Sequence, residues 1–344
     1  MDSLTQIVLG AACGEVALGK KIGNKAQLFG AIGGTIPDLD VIFGGLFFGN
    51  EIDILAFHRG FMHSFVFAAI ATPILGYLFF KLYDSGKRKG TTLLKDWIWL
   101  FCLSIFTHPI LDSFTAYGTQ LLLPFSDYRV AFNNISVVDI FYTIPFLFCL
   151  IMALRLKRTN PKRWKWTKAG IYISSFYLLL TIGNKLYTDS VLKESFEEAG
   201  IETERFTSQP ALLSNFLWYA VAETKDTYYV QFYSIFDAKD RPKNIIEIQA
   251  NHHLVDMNHP DLKTLRWFSN GFYALDTLES SDRIIYKDLR FPLLDEYDKN
   301  SSLFEFNLID AAPRWDITPM SVGKYSRDEL FDYFGGMISR SLGN

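Results

Sequence analysis

Apolar residues run in continuous blocks through the first half of the chain and alternate with polar ones in the second. Four blocks, 61–82, 97–118, 137–156 and 169–187, come close to the roughly 20 residues with which an α-helix crosses a bilayer core of about 30 Å. Two weaker runs, 4–19 and 26–36, precede them, and a short apolar stretch follows at 41–48. The weak pair carries Gly10, Gly14, Gly19, Gly30, Gly33 and Gly34. Small residues let helices approach closely, so these runs read as short helices surrounded by protein. From residue 188 the pattern changes to a Glu-rich helical connector at 188–203. Strand-like runs follow at 215–222, 227–236, 244–250, 264–272 and 303–309, and a closing helix at 327–342. The expected architecture is an α-helical multi-pass membrane bundle of about four to six segments over 1–187. A soluble α+β or mostly β domain occupies 188–344.

Composition sharpens this division. The 344 residues are 49% hydrophobic and 16% aromatic, which excludes disorder. The net charge of −3 argues against a nucleic-acid partner, but it hides a split. Residues 1–187 hold 18 Lys/Arg against 11 Asp/Glu, a balance of +7, whereas 188–344 hold 16 against 26, a balance of −10. Fifteen of the basic residues in the first half fall in alternate connections: 20–25, 81–95 and 155–168. Placing these in the cytoplasm puts the N-terminus and the acidic C-terminal domain outside. Cys13, Cys102 and Cys149 all sit in apolar runs with no CxxC, so buried thiols are expected rather than a disulfide framework. The start, Met1-Asp2-Ser3, has no basic n-region, so no cleaved signal peptide is expected.

That orientation brings the polar chemistry of the first half to one level. His108 and Asp112 are spaced i, i+4 and share a helix face among apolar neighbours. A satisfied structural pair is one reading. The cost of ionisable groups in a membrane favours a functional one. His58-Arg59-Gly60-Phe61-Met62-His63 places His58 on an entering loop and His63 on the first turns, either as ligands or as an interfacial cluster snorkelling to headgroups. Pro37-Asp38-Leu39-Asp40 is a helix end that could be only a turn. Beside three imidazoles, its two carboxylates complete a ligand set for a divalent metal, zinc first, with manganese or iron(II) as alternatives. Arg59 either forks onto a substrate phosphate or carboxylate or pairs with a nearby aspartate. Asp40 and Arg59 are the candidate catalytic groups. His252, His253 and His259 read as loop or surface residues, since adjacent strand positions point to opposite faces.

Several runs occur together and in order: Met1-Asp2-Ser3-Leu4-Thr5-Gln6, Gly33-Gly34-Thr35-Ile36-Pro37-Asp38-Leu39-Asp40, His58-Arg59-Gly60-Phe61-Met62-His63-Ser64, Thr107-His108-Pro109-Ile110-Leu111-Asp112 and Tyr117-Gly118-Thr119-Gln120. On these, residues 1–187 resemble the YdjM/YbcI-like family of bacterial membrane-bound, metal-dependent hydrolases. The hydrolase label of that family rests on a His/Asp pattern similar to that of zinc phospholipase C. The resemblance implies Asp38, His58, His63, His108 and Asp112 as metal-site residues. It also exposes a departure: many relatives carry His where this chain has Gln6, a weaker oxygen donor or an outer-shell group. The leading expectation is an integral-membrane metallohydrolase acting on a phosphoester or lipid-like substrate near the outer interface, with the bilayer as its partner. Two alternatives remain, a metal-stabilised receptor or regulator without catalysis and a cation- or proton-coupled transporter.

Overall fold

A computed structural model describes residues 1–211, 213–238, 244–277, 283–319 and 326–343. The chain divides into two compact units, and neither is contiguous in sequence. The first comprises Met1–Leu46, Phe57–Phe132 and Val137–Thr181, and the second Phe47–Ala56, Asn133–Ser136 and Ile182–Asn344.

The first unit is helical. Asp2 caps α1 (Ser3–Ile22), its carboxylate accepting from Thr5 N–H at 3.0 Å. Gly23, at φ +63°, then turns the chain into α2 (Asn24–Thr35). These two helices touch backbone to backbone: a Cβ at Gly10 or Gly30 would meet the other's carbonyl, and one at Gly14 would meet that of Ala26. Pro37 opens a single 3₁₀ turn, and α3 (Asp40–Phe47) follows. Ser64 caps α5 (Phe65–Tyr83), which packs on α6 (Leu94–Asp112). Asp139 caps α7 (Ile140–Leu154), and α8 (Pro161–Glu198) runs on into the second unit. Leu18, Ala26, Ala68, Trp97, Leu100, Phe101 and Ile105 form the core, with Phe29 edge-on to Trp97.

Outward-facing positions of α5 are as apolar as its inward ones: Ile70, Ile74, Leu78 and Leu82 are exposed. That is the inverse of a soluble surface helix. Among the described residues, α5 is the one helix long and apolar enough to cross a membrane, and α7 is apolar but shorter.

The second unit holds two four-stranded antiparallel meanders. The first is β1 (Arg205–Pro210), β2 (Leu217–Glu223), β3 (Thr227–Ser234) and β4 (Ile245–Gln249). The second is β5 (Tyr273–Thr277), β6 (Ile284–Asp288), β7 (Glu305–Ala311) and β8 (Arg314–Pro319). In β2, Trp218, Ala220 and Ala222 meet Leu192 and Phe196 of α8. The alternate residues Leu217, Tyr219 and Val221 enter a second core with Val230 and Leu289, as period-2 geometry requires.

The expected strand at 264–272 is instead largely helical, in α9 (Pro260–Phe268). His259 caps it, Pro260 sits at its first position, and Leu262, Leu265 and Phe268 line one face. The connector at 188–203 continues α8 only as far as Glu198. Arg327–Ser341 closes the unit as α10, and α4 (Glu51–Phe57) lends it Ile52, fully buried with Leu265, Tyr286 and Ile317.

Candidate metal centre

Three stretches of the first unit converge: the 3₁₀ turn after α2, the turn before α5 and the end of α6. Their contributions are Asp38 Oδ1, His63 Nε2, His108 Nε2 and Asp112 Oδ2, all within 4.8 Å of one another. The two imidazole nitrogens lie 3.2 Å apart. Asp38 Oδ1 is 3.5 and 3.3 Å from His63 and His108, and Asp112 Oδ2 is 3.3 and 3.5 Å from the same two nitrogens. Metal–ligand bonds of about 2.0–2.1 Å in a tetrahedron give edges of about 3.3–3.4 Å, close to these five separations, and the two carboxylate oxygens lie within 4.8 Å of each other.

The outer partners fix which atoms point inward. Gly34 C=O can only accept, so His108 donates its Nδ1–H there at 2.6 Å and leaves Nε2 as a bare lone pair. On the other ring, His63 Nδ1 lies 3.1 Å from Asp40 Oδ2, at ion-pair distance without full hydrogen-bond alignment. Asp112 Oδ2 is buried and has no hydrogen-bond partner. With both imidazoles neutral, four acceptors face one point, an arrangement that can hold a divalent cation. His63, His108 and Asp112 are fully buried, whereas the Asp38 side chain is 23% exposed and forms the open edge.

His58 does not join the four. Its Nδ1 is 3.1 Å from Asp40 Oδ1, and its ring lies 6.1 Å from that of His63, 25% exposed. Asp40, buried, therefore bridges His58 and His63 and also accepts from Arg59 N–H at 2.7 Å. Burial works against the Asp40 charge, but the contacts with His58 and His63 prevail and hold its carboxyl well below the usual range. Burial lowers the His58 pKa, and Asp40 offsets this only in part.

Arg59 is turned inward. Its Nη1 donates to Thr115 Oγ1 at 2.8 Å, its Nε approaches Asp112 Oδ2 at 3.4 Å, and its guanidinium stacks on Tyr117 at 4.8 Å. Of the two roles open to it, this is pairing with an aspartate. Its φ of +56° is unusual for a residue with a Cβ. That conformation bends the chain so that His58 and His63 reach the same carboxylate from opposite sides.

Gln6 donates from Nε2 to Asp112 Oδ1 at 2.8 Å and to the His108 carbonyl at 3.2 Å, an outer-shell position; the Met1 amine also contacts Asp112. Asp139 stays apart, bound to Tyr177 and the start of α7. Sequence reasoning did not single out Thr115, Tyr117 or Arg129, which donates to the His58 carbonyl. Tyr117 opens the 117–120 run but had no role assigned to it, and the only signal for Thr115 and Arg129 was proximity to that run. In the second unit His252 stacks on Tyr273 and His259 caps α9, so neither belongs to a ligand cluster among the described residues.

A comparison with protein families matches residues 1–188 to the family described as YdjM inner membrane protein. The chain belongs to the YdjM family. All four converging residues, with Asp40 and His58, lie within the matched span, and membership makes this a membrane protein. Two curated proteins are similar to it. YfhP of Bacillus subtilis, described as uncharacterized, is 32% identical over 158 residues, 43% of each chain. YbcI of Escherichia coli, described as an inner membrane protein, is 33% identical over 122 residues, 34% of this chain and 64% of that one. The chain thus aligns with less than two thirds of either relative. No solved structure matches it.

Proposed function

We propose that the first unit of this YdjM-family protein is a metal-dependent hydrolase centre, holding zinc or a similar divalent ion between Asp38, His63, His108 and Asp112. The observation that carries the reading is an imidazole held beside that cluster but outside it. With Nδ1–H donated to Asp40, His58 keeps Nε2 free to take or give a proton at the partly exposed edge. A bound ion would supply Lewis acidity and nucleophilic water near neutral pH. His58 would move the proton, Asp40 would hold both histidine tautomers, and Arg59 would balance the charge of Asp112. A phosphoester or lipid-like substrate at the outer membrane interface fits this reading, with the N-terminus and the second unit extracytoplasmic.

One observation favours a second reading. Four protein donors can close a tetrahedron, as structural zinc sites do, so the ion serves folding alone if Asp38 never leaves it. A transporter would need a polar path to the opposite membrane face, and buried Glu15, a candidate for it, is paired with Arg163, Nε to Oε1 at 2.6 Å.

Metal analysis combined with hydrolysis of bis(p-nitrophenyl) phosphate and of short-chain phospholipids separates the two. The wild type should carry about one ion per chain. His58→Ala should keep that ion and lose about 10²–10⁴-fold in turnover. His108→Ala should lose both. Bound metal without turnover of any phosphoester or carboxylic ester would reject the hydrolase and leave the structural ion.

A further inference from the structure

Between α6 and α7 the chain forms a finger whose base is pinned and whose tip is apolar and bare. Thr119 and Val130 exchange two backbone hydrogen bonds at its base. Arg129 is buried and turned inward, its guanidinium donating to the carbonyls of His58 and Gly118. Gln120 N–H reaches the Arg59 carbonyl, and the Leu121 carbonyl accepts from Phe65 N–H at 3.0 Å. Beyond that base, Leu122, Phe125 and Tyr128 are 50%, 85% and 64% exposed. Leaving apolar side chains of this size in water is unfavourable.

We propose that the tip of this finger, residues 122–128, lies in the headgroup layer of the bilayer and fixes the metal centre at that depth. Phe65 sets the level of the finger. It opens α5, the helix long and apolar enough to cross a membrane, so its backbone N–H marks a membrane boundary. The finger is hydrogen-bonded to that very group, and His63 precedes it by two residues. An exposed Phe and Tyr at this level are what an interfacial aromatic belt is made of. The exposed carboxylate of Asp127 keeps the tip out of the hydrocarbon core, where a charge is costly. The occupant of this surface is therefore lipid headgroup and upper acyl chain. The proposal rests on membership of a membrane-protein family and not on the hydrolase reading.

The test is a nitroxide spin label at Phe125→Cys, in full-length protein with its three native cysteines replaced by alanine. The protein is reconstituted in phosphatidylethanolamine–phosphatidylglycerol vesicles. Oxygen should collide with this label several-fold more effectively than an aqueous nickel chelate does, and the order should reverse at Lys89→Cys. A label at Phe125 that behaves like Lys89 places the finger in water and overturns the proposal. A label shielded from both reagents shows a protein cover and overturns it equally. Tyr128→Cys repeats the measurement in case the first variant fails to fold.

Discussion

Asp40 touches no candidate ligand atom, yet it governs two rings. One oxygen faces His58 Nδ1 and the other faces His63 Nδ1, each at 3.1 Å, so a single carboxylate faces both rings. Replacing it by asparagine keeps the volume and removes the charge. Asp40→Asn should therefore weaken metal binding about 10–100-fold, the range seen when an outer-shell partner of a metal-bound histidine is lost. Competition against a chromophoric chelator measures this, and unchanged affinity would show that His63 is oriented by something else. The spacing of His58 and His63 did not reveal this division of labour. In a regular helix the two would point apart, and the positive φ of Arg59 together with the non-helical Gly60 lets one carboxylate serve both. A conformation carried by one residue with a Cβ leaves no pattern in the chain. His108 and Asp112 were legible because i, i+4 spacing is a property of any helix.

At the scale of elements, the cluster depends on how closely α1 approaches α2. Gly34 supplies the carbonyl that orients His108, and Asp38 follows four residues later. A Cβ at Gly30 would meet the Gly10 carbonyl, a backbone atom that can yield only by moving a helix. Gly30→Leu should destabilise the first unit by about 1–3 kcal/mol, the usual scale of overpacking, and should lower its metal content. Thermal unfolding with metal analysis on the same sample tests both effects. If stability falls while metal is retained, the α1–α2 contact does not position the site. The close approach was readable from the glycines of the two weak runs. The helix at Pro260–Phe268 was not, because its β-branched and aromatic residues suggest a strand. Its start signal, His-Pro-Asp, outweighs that propensity: His259 accepts from Asp261 N–H and Pro260 needs no partner for its nitrogen.

At the scale of the whole molecule, the second unit recruits ten residues, 47–56, from far earlier in the chain. Ile52 is fully buried against the second sheet, Asn50 donates to the Trp315 carbonyl at 2.8 Å, and Asp53 binds Arg314 at 2.7 Å. Arg314 also grips Asp261, whose carboxyl accepts from Trp315 N–H. Burial tends to raise the Asp261 pKa, but these hydrogen bonds prevail and hold it below its ordinary value. A carboxylate depressed in the folded state stabilises above its unfolded pKa, and that contribution disappears as pH falls through the folded value. Stability of the second unit should therefore decline below the ordinary carboxylate range, and Asp261→Asn should flatten that decline in denaturant titrations run at several pH values.

The same geometry predicts how the unit behaves when cut out. A fragment of residues 182–344 keeps both sheets but exposes the pocket that Ile52 fills. Losing a buried Ile alone costs about 2–5 kcal/mol, a large part of the stability of a typical domain. The fragment should unfold at lower denaturant concentration than one carrying 47–56 on a flexible linker. Supplying those residues as a free peptide should recover part of the difference, and a peptide with Ile52→Ala should recover less. Equal midpoints for the two fragments would mean that 47–56 merely rests against the second sheet. The boundary near residue 188, where charge and hydropathy change sign, would then be the true edge of the folding unit.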